Sequence, residues 1–233
     1  MAQRAVSLRY HGLKVAQAIA VISQQLSTAG GSLPVALAKG VEAYKRQLTS
    51  VMVLAGVAMA PTFNSPKRTA TKDRQGDESV EHLLLRLIPR PSGKTVFTDD
   101  VVAFTSPFAA SAVAPIAAPG SVMVRRVAAV EGDEMVSDDA EEEGFQIPQG
   151  HCWVLADNPE LEPPHVIDSR SFGPLPFSSI LGRVMYSARS EKDHGPVENS
   201  PEGIKADGPV LDAELDLERL CQGEDGESGL PEQ

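Results

Sequence analysis

The sequence predicts a mainly β protein. We expect an antiparallel β domain at about residues 51–188, preceded by a helical N-terminal segment, 1–50, and followed by an acidic tail, 189–233. Two observations support this prediction. The central region consists of short apolar runs rich in β-branched residues, separated by clusters of Gly, Pro, Asp and Ser, which is typical of strands and turns. The segment before it shows apolar residues at helical spacing instead.

The N-terminal segment is expected to form two helices. Pro34 suits the first turn of the second helix, which should end near Gln47, and Gly30-Gly31-Ser32 separates it from the first. Apolar residues that can share one face of the first helix are Leu8, Leu13, Ala16, Ile19 and Ala20. The segment holds six Lys and Arg residues and one acid, Glu42. This composition fits an organellar targeting segment or a docking helix kept in the mature protein, and both alternatives stay open.

Strands are expected at the strongest apolar runs of the central region. These runs are Val51–Leu54, Leu83–Ile88, Val101–Phe104, Val122–Val130, Cys152–Ala156 and Ile180–Ala188. The polar segments 65–79 and 109–120 are predicted to be loops, and the acidic segment 137–144 a turn or surface insert.

The C-terminal tail carries most of the negative charge. Residues 189–233 hold thirteen Asp and Glu against four Lys and Arg, and we expect them to be largely flexible. One stretch, Pro209–Leu220, has enough apolar residues to dock on the domain as a strand or a short helix.

Composition excludes several classes of function. A net charge of −11 argues against general nucleic-acid binding, which needs a basic face to displace counterions. No run reaches the ~18 to 20 apolar residues that a membrane-spanning helix needs, so we expect at most peripheral contact with a membrane. The two cysteines, Cys152 and Cys221, show no zinc-like spacing with His. We therefore expect neither a metal nor a cofactor.

Three separated stretches stand out within the central region. The first, Gly56–Thr62, reads Gly-Val-Ala-Met-Ala-Pro-Thr, and the second, Val124–Asp133, begins Val-Arg-Arg-Val and ends Glu-Gly-Asp. The third comprises Gly150–Val154, Asp157-Asn158, Asp168–Pro174 and Gly182–Val184. A single one of these would be a weak signal, but their order and spacing together form a specific pattern.

These three blocks resemble the signature blocks of the S26 serine peptidases, and most closely those of the mitochondrial inner-membrane type. The resemblance covers about residues 51–188 and implies a signal-peptidase-like antiparallel β fold. In that family the first block supplies a nucleophilic serine and the second a lysine that acts as the general base.

The resemblance also implies that the catalytic pair is missing here. Ala58 stands at the serine position and Arg125 at the lysine position. An alanine has no hydroxyl to attack a carbonyl, and a guanidinium stays protonated under ordinary conditions. Two further positions where bacterial-type relatives carry a hydroxyl hold Ala55 and Val166.

Other signature residues remain. Asp168 and Arg170 are expected to staple the β domain through charge-assisted hydrogen bonds, with the shaping of a peptide groove as the alternative. Gly173 and Pro174 complete this structural signature. Met59 and Pro61 are candidates for the groove wall, and core packing is the alternative for Met59.

Three functions are compatible with this pattern. The first is a catalytically inactive subunit or scaffold of an organellar membrane-associated complex, with other protein subunits as partners. The second is an active S26-type endopeptidase that processes targeting peptides, and the third is a module that binds presequence peptides without cutting them. The resemblance and the basic N-terminal segment favour the mitochondrion, peripheral to its inner membrane, with a plastid as the alternative.

Overall fold

The computed structural model describes residues 7–27, 32–64, 80–108, 122–136 and 144–222. The strands within these ranges are β1 (Thr49–Leu54), β2 (Glu81–Leu87), β3 (Val101–Thr105), β4 (Val122–Val130), β5 (Glu134–Met135), β6 (Phe145–Gln146), β7 (His151–Leu155), β8 (Leu175–Pro176), β9 (Ile180–Ser190) and β10 (Asp193–Pro196). The helices are α1 (Leu8–Ser27), α2 (Leu33–Lys45), α3 (Ser169–Phe172), α4 (Pro201–Glu214) and α5 (Leu217–Gln222).

One antiparallel sheet dominates the described residues. Its strands follow the order β1-β2-β9-β3-β4-β7-β8, and β10 pairs with β9, while β5 and β6 form a separate ribbon. The long β9 pairs with β2, β3 and β10 along different parts of its length. This architecture confirms the predicted fold class, and each of the six predicted strands is present. The predicted loops 65–79 and 109–120 lie outside the described residues, as does the insert 137–144 apart from Gly144.

Both faces of the sheet are covered. In β2, Leu83 and Leu85 join a core cluster that includes Met59, whereas Leu84 packs with residues of the helices. Strand side chains alternate between faces, so a strand with no exposed position must have partners on both sides. The first signature block therefore lies on one face of the sheet, and α1, α4 and α5 cover part of the other.

The terminal helices are joined through one carboxylate. Glu214 of α4 accepts hydrogen bonds from the Leu48 N–H at 2.9 Å, the Thr49 hydroxyl at 2.8 Å and the Tyr10 hydroxyl at 2.5 Å. Tyr10 also packs with Val210 in the same buried cluster. The carboxylate thus ties α1 and the start of β1 to α4.

The C-terminal segment is more ordered than its composition predicts. The stretch 209–220 docks as helix, with Val210 and Leu220 fully buried. The N-terminus of α4 is capped by Ser200, whose hydroxyl accepts from the Gly203 N–H at 3.0 Å. Further along α4, Asp207 forms an ion pair with the buried Arg183. These contacts hold an otherwise acidic segment against the sheet; residues 223–233 lie outside the described part.

The N-terminal segment forms the two predicted helices, but apolar residues of α1 face solvent and not the protein body. Leu8 and Ile19 are 89% and 59% exposed, whereas Tyr10 and Lys14 face the body. The Lys14 ammonium lies 5.4 Å from the centre of the Tyr10 ring, a cation–π contact that accommodates the charge. Neither α1 nor any other helix in the described ranges has the length and hydropathy needed to cross a bilayer.

Candidate functional site

The first signature block is a tight segment that follows β1 and anchors to the core. Gly56 adopts φ +87°, a left-handed conformation that favours glycine. Met59 is 1% exposed and packs with Phe63 and Val124, so its side chain belongs to the core and does not wall a groove. Pro61 is exposed and lines a cavity of about 430 Å³ beside Thr62 and Arg126.

Ala58, which is predicted to stand at the nucleophile position, lies half-buried, and its backbone is held by the third block. Its carbonyl accepts the N–H of Asn158 at 3.1 Å, and the Asn158 side-chain amide donates to the carbonyl of Val57 at 2.9 Å. Ala55, which is predicted to stand where bacterial-type relatives carry a hydroxyl, is exposed just after β1. The backbone of the block is thus fixed, while the side chain of Ala58 is only a methyl group.

Arg125, which is predicted to stand at the general-base position, lies on β4 and is 7% exposed. Its Nε donates to the carbonyl of Ile167 at 2.9 Å and its Nη1 to the carbonyl of Val124 at 2.6 Å. Burial lowers the pKa of this guanidinium, and the charges of Asp168 and Asp157 oppose that effect. Among the described residues, no carboxylate oxygen lies within 4.0 Å of it. A guanidinium pKa starts so high that the group remains a cation near neutral pH.

Arg126 links all three blocks. Its guanidinium makes a bidentate pair with Asp157, Nε to Oδ1 at 2.9 Å and Nη2 to Oδ2 at 2.7 Å. The Thr62 hydroxyl donates to the same carboxylate at 2.5 Å, and Arg126 also donates to the carbonyls of Asp99 and Glu198. Such fork-like pairs fix geometry as well as charge. The sequence places these residues in their blocks without revealing that they pair.

Asp168 and Arg170 form a local staple. The Asp168 carboxylate caps α3 by accepting from the Arg170 N–H at 3.0 Å, accepts from the Ala156 N–H at 3.2 Å, and pairs with the Arg170 guanidinium at 2.7 Å. Burial opposes ionisation of Asp168, but these hydrogen bonds outweigh it and hold its pKa below the ordinary value. The Arg170 pKa is raised, chiefly by the hydrogen bond to Asp168. The staple fixes the start of α3 against the end of β7.

The remaining signature residues shape the chain around this staple. Gly173 ends α3 with φ +81°, and Pro174 follows it immediately before β8. Val166, which is predicted to stand at the second such hydroxyl position, is 3% exposed and therefore a packed side chain. The loop between β7 and α3 therefore contacts both predicted catalytic positions, since Asn158 bonds Ala58 and Ile167 bonds Arg125.

A substitute catalytic pair is not apparent in the described part of the chain. No hydrogen bond there joins a Ser, Thr or Cys side chain to a Lys or His side chain. Ser169 is buried and its hydroxyl accepts from the Val154 N–H at 2.9 Å, while Cys152 is buried with its thiol pKa raised to about 12 by burial. The same ranges contain no group of three His, Cys, Asp or Glu residues placed to hold a metal ion.

Comparisons with known proteins agree with the motifs. The chain is 37% identical over 167 residues to the mitochondrial ATP-independent inner membrane protease subunit 2 of Arabidopsis thaliana, covering 72% of this chain and 71% of that protein. It is 33% identical over 88 residues to the mitochondrial inner membrane protease subunit 1 of Mus musculus, covering 36% of this chain and 51% of that protein. The subunit 1 of Homo sapiens gives 32% identity over the same length.

No family model matches the chain. The match to the subunit 2 relative nevertheless extends over more than two thirds of both sequences, and the structure brings the three signature blocks together on one antiparallel sheet. The chain belongs to the family of mitochondrial inner membrane protease subunits, within the S26-type peptidases.

Proposed function

We propose that this protein is a catalytically inactive member of its family that serves as a subunit or scaffold of a protease assembly at the mitochondrial inner membrane. One observation carries the proposal: the position of the general base holds a buried arginine whose donors are directed at backbone carbonyls. The names of the relatives support the mitochondrion over a plastid and assemblies of protease subunits as the setting.

The chemistry of the site supports inactivity. Acyl transfer by a serine peptidase needs a hydroxyl to attack the carbonyl and a neutral amine to take its proton. Ala58 supplies no hydroxyl, and the charge of Arg125 leaves no lone pair to accept a proton. The buried Val166 also removes a hydroxyl position next to Arg125, whose Nε bonds the following carbonyl.

The surroundings of the lost pair support a retained structural role. The Arg126–Asp157 pair and the Asp168–Arg170 staple still order the loop between β7 and α3. Helix α1 is tied to α4 through Glu214, which favours a docking role for the N-terminal segment over a role in targeting alone. An ordered domain without a nucleophile suits assembly with other subunits.

The proposal is tested by purifying the tagged full chain from mitochondria and assaying the eluate with a presequence peptide. We expect other protease subunits to co-elute, so that the eluate cleaves the peptide while the chain purified alone does not. A chain that elutes alone under mild conditions would contradict the subunit role.

A second candidate is a module that binds presequences without cutting them. The cavity of about 430 Å³ lined by Pro61, Thr62 and Arg126 favours it, because a groove beside the first block would outlast the loss of the serine. We expect micromolar binding of a presequence peptide with small residues, weakened by Pro61→Trp, which fills part of the cavity, and unchanged by Ala55→Leu at an exposed position outside its lining. Absence of detectable binding would remove this candidate.

A further inference from the structure

The helical hairpin of α1 and α2 presents an exposed apolar face. On α1, the exposed residues Leu8, Val15, Ile19 and Leu26 follow one another at intervals of seven, four and seven, which places them on a single stripe of the helix. The stripe lies opposite Tyr10 and the side of α1 that packs on the body. A solvent-facing stripe of this length is unusual for a surface helix of a protein in water.

A matching stripe runs along α2. Leu33, Leu37, Val41 and Tyr44 are spaced by four, four and three residues and are all exposed. The buried positions of α2 are the small residues Ala36, Gly40 and Ala43, which let the two helices approach closely. A side chain at Gly40 would meet Ile22 at 2.5 Å.

The two stripes adjoin on one side of the hairpin. The helices are antiparallel, because His11 bonds the Tyr44 hydroxyl at 3.2 Å and Gln25 accepts from Lys39 at 2.8 Å. Ile22 and Gly40 mark where the two helices touch. At 100° per residue, each stripe lies about 40–55° from this contact point, turned in the same direction about its own helix axis. In antiparallel helices this puts both stripes on the same side, away from the protein body.

Cations outnumber acids on the exposed surface of the hairpin, and two of them, Arg9 and Lys45, border the outer edges of this face in an otherwise acidic protein. The exposed charged residues of the hairpin, through the end of α2, are four cations and one acid: Arg9, Lys39, Lys45, Arg46 and Glu42. Glu42 is engaged with Arg46 at 2.6 Å. The chain as a whole has a net charge of −11, so an anionic partner is attracted at this end and repelled elsewhere.

The composition of the face distinguishes between a lipid and a protein surface. Seven of its eight residues are Leu, Val or Ile, and the phenol of Tyr44 already bonds His11. A typical protein interface adds hydrogen bonds and aromatic or arginine anchors at its centre, whereas acyl chains offer nothing to hydrogen-bond. An aliphatic face flanked by Lys and Arg is the pattern of a helix that lies in the plane of a membrane interface.

We propose that the α1–α2 hairpin lies flat on an anionic phospholipid bilayer, with its aliphatic face in the headgroup–acyl boundary and its cations among the lipid phosphates. The inference supplies a means of membrane contact for the function proposed above. It rests on the membrane location in the proposed function, but not on whether the chain is catalytically inactive.

The test is flotation of the full chain with vesicles of phosphatidylcholine mixed with phosphatidylglycerol, compared with phosphatidylcholine alone. We expect binding to the anionic vesicles that falls with added salt. Ile19→Glu or Leu37→Glu should weaken it about tenfold or more, because each puts a charge in the apolar boundary. Lys45→Gln should weaken it about fivefold.

Ile204→Glu is the matched control, since Ile204 on α4 is 55% exposed, close to Ile19 at 59%. This variant should float like the unmodified chain, and unchanged circular dichroism will show that each variant folds. Equal loss in Ile204→Glu, or no preference for anionic vesicles, would overturn the proposal. The proposal would also be overturned if the chain did not bind vesicles and Ile19→Glu instead disrupted a dimer or the binding of another protein.

The outcome is separable from the proposed inactivity. A chain that cleaves presequence peptides and also floats with anionic vesicles would refute the proposed function and leave this inference standing. A chain that neither cleaves nor floats would refute this inference and leave the proposed function standing.

Discussion

Arg125 and Arg183 lie on either side of the same residue of β3, because both pair in register with Val102. Their Cα atoms are therefore about 10 Å apart, two strand spacings. Both side chains are buried, at 7% and 2% exposure. Arg183 donates to the carboxylates of Asp207, at 2.7 Å, and Asp100, whereas Arg125 donates to two backbone carbonyls.

The pKa values of the two guanidiniums move in opposite directions. Burial disfavours the charge of Arg183, but the hydrogen bond and charge of Asp207 and the charge of Asp100 outweigh it and raise the pKa. Burial dominates at Arg125 and lowers the pKa. The charge of Arg183 is thus balanced by the two carboxylates that it contacts. Arg125 is a buried cation that donates to backbone carbonyls, and the carboxylates of Asp168 and Asp157 offset its burial only in part.

The largest difference should come from removing Arg183. Arg183→Met leaves Asp100 and Asp207 buried without their partner, and we expect a loss of about 3–5 kcal/mol in the free energy of unfolding. Urea unfolding followed by circular dichroism measures it. A loss below about 1 kcal/mol would mean that the buried network is not a framework element.

The staple beside Arg125 should matter less but should show a pH signature. Asp168→Asn keeps an acceptor for capping α3 and removes the charge, costing about 1.5–3 kcal/mol near neutral pH. The folded pKa of Asp168 lies below its ordinary value of 3.8, so its contribution is present above that pH and disappears as pH falls through the lowered folded value. Unfolding at several pH values tests this. A difference between variant and unmodified chain that persists unchanged in strong acid would contradict it.

Removing Arg125 should cost less than removing Arg183. Arg125→Met removes one donor from each of the carbonyls of Ile167 and Val124 and eliminates a poorly compensated buried charge, so we expect a loss of about 1–2 kcal/mol. The same urea titration applies, with Arg183→Met as reference. A cost equal to that of Arg183→Met would erase the contrast between the two sites.

Cysteine labelling gives the smallest effect and reports local opening. Cys152 is fully buried, and burial raises the pKa of its thiol to about 12, while Cys221 is only half-buried. We expect a maleimide to label Cys221 first and Cys152 only through unfolding. Arg183→Met should accelerate labelling of Cys152 and Arg125→Met should barely change it. Rapid labelling of Cys152 in the unmodified chain would contradict its placement.

Local patterns account for most of the fold that the sequence predicts. Runs of β-branched residues mark the six main strands, and Pro34 marks the start of α2. The ordering of 193–222 is not predictable from composition, because it depends on Asp207 and Glu214 meeting partners far away in sequence. The outward direction of Leu8 and Ile19 is likewise set by how Tyr10 docks on α4, not by periodicity.

In the candidate site, too, local patterns predict some features, whereas others depend on residues far apart in sequence. The blocks point to Ala58 and Arg125 as the predicted catalytic positions. They also predict that Asp168 pairs with Arg170, because the two lie two residues apart where Asp168 can cap a helix. The pairing of Arg126 with Asp157 spans 31 residues and becomes visible only when β4 lies beside β7. The proposal depends on the burial of Arg125 without a carboxylate partner among the described residues, a property of packing that no local pattern encodes.

Cleavage of a presequence peptide by the purified, unmodified chain tests the central claim most directly. We predict no turnover, and little turnover from the double variant Ala58→Ser, Arg125→Lys, because Ala55 and Val166 still lack the hydroxyls of bacterial-type relatives. Turnover by the unmodified chain that a single substitution such as Ser171→Ala abolishes would contradict the account.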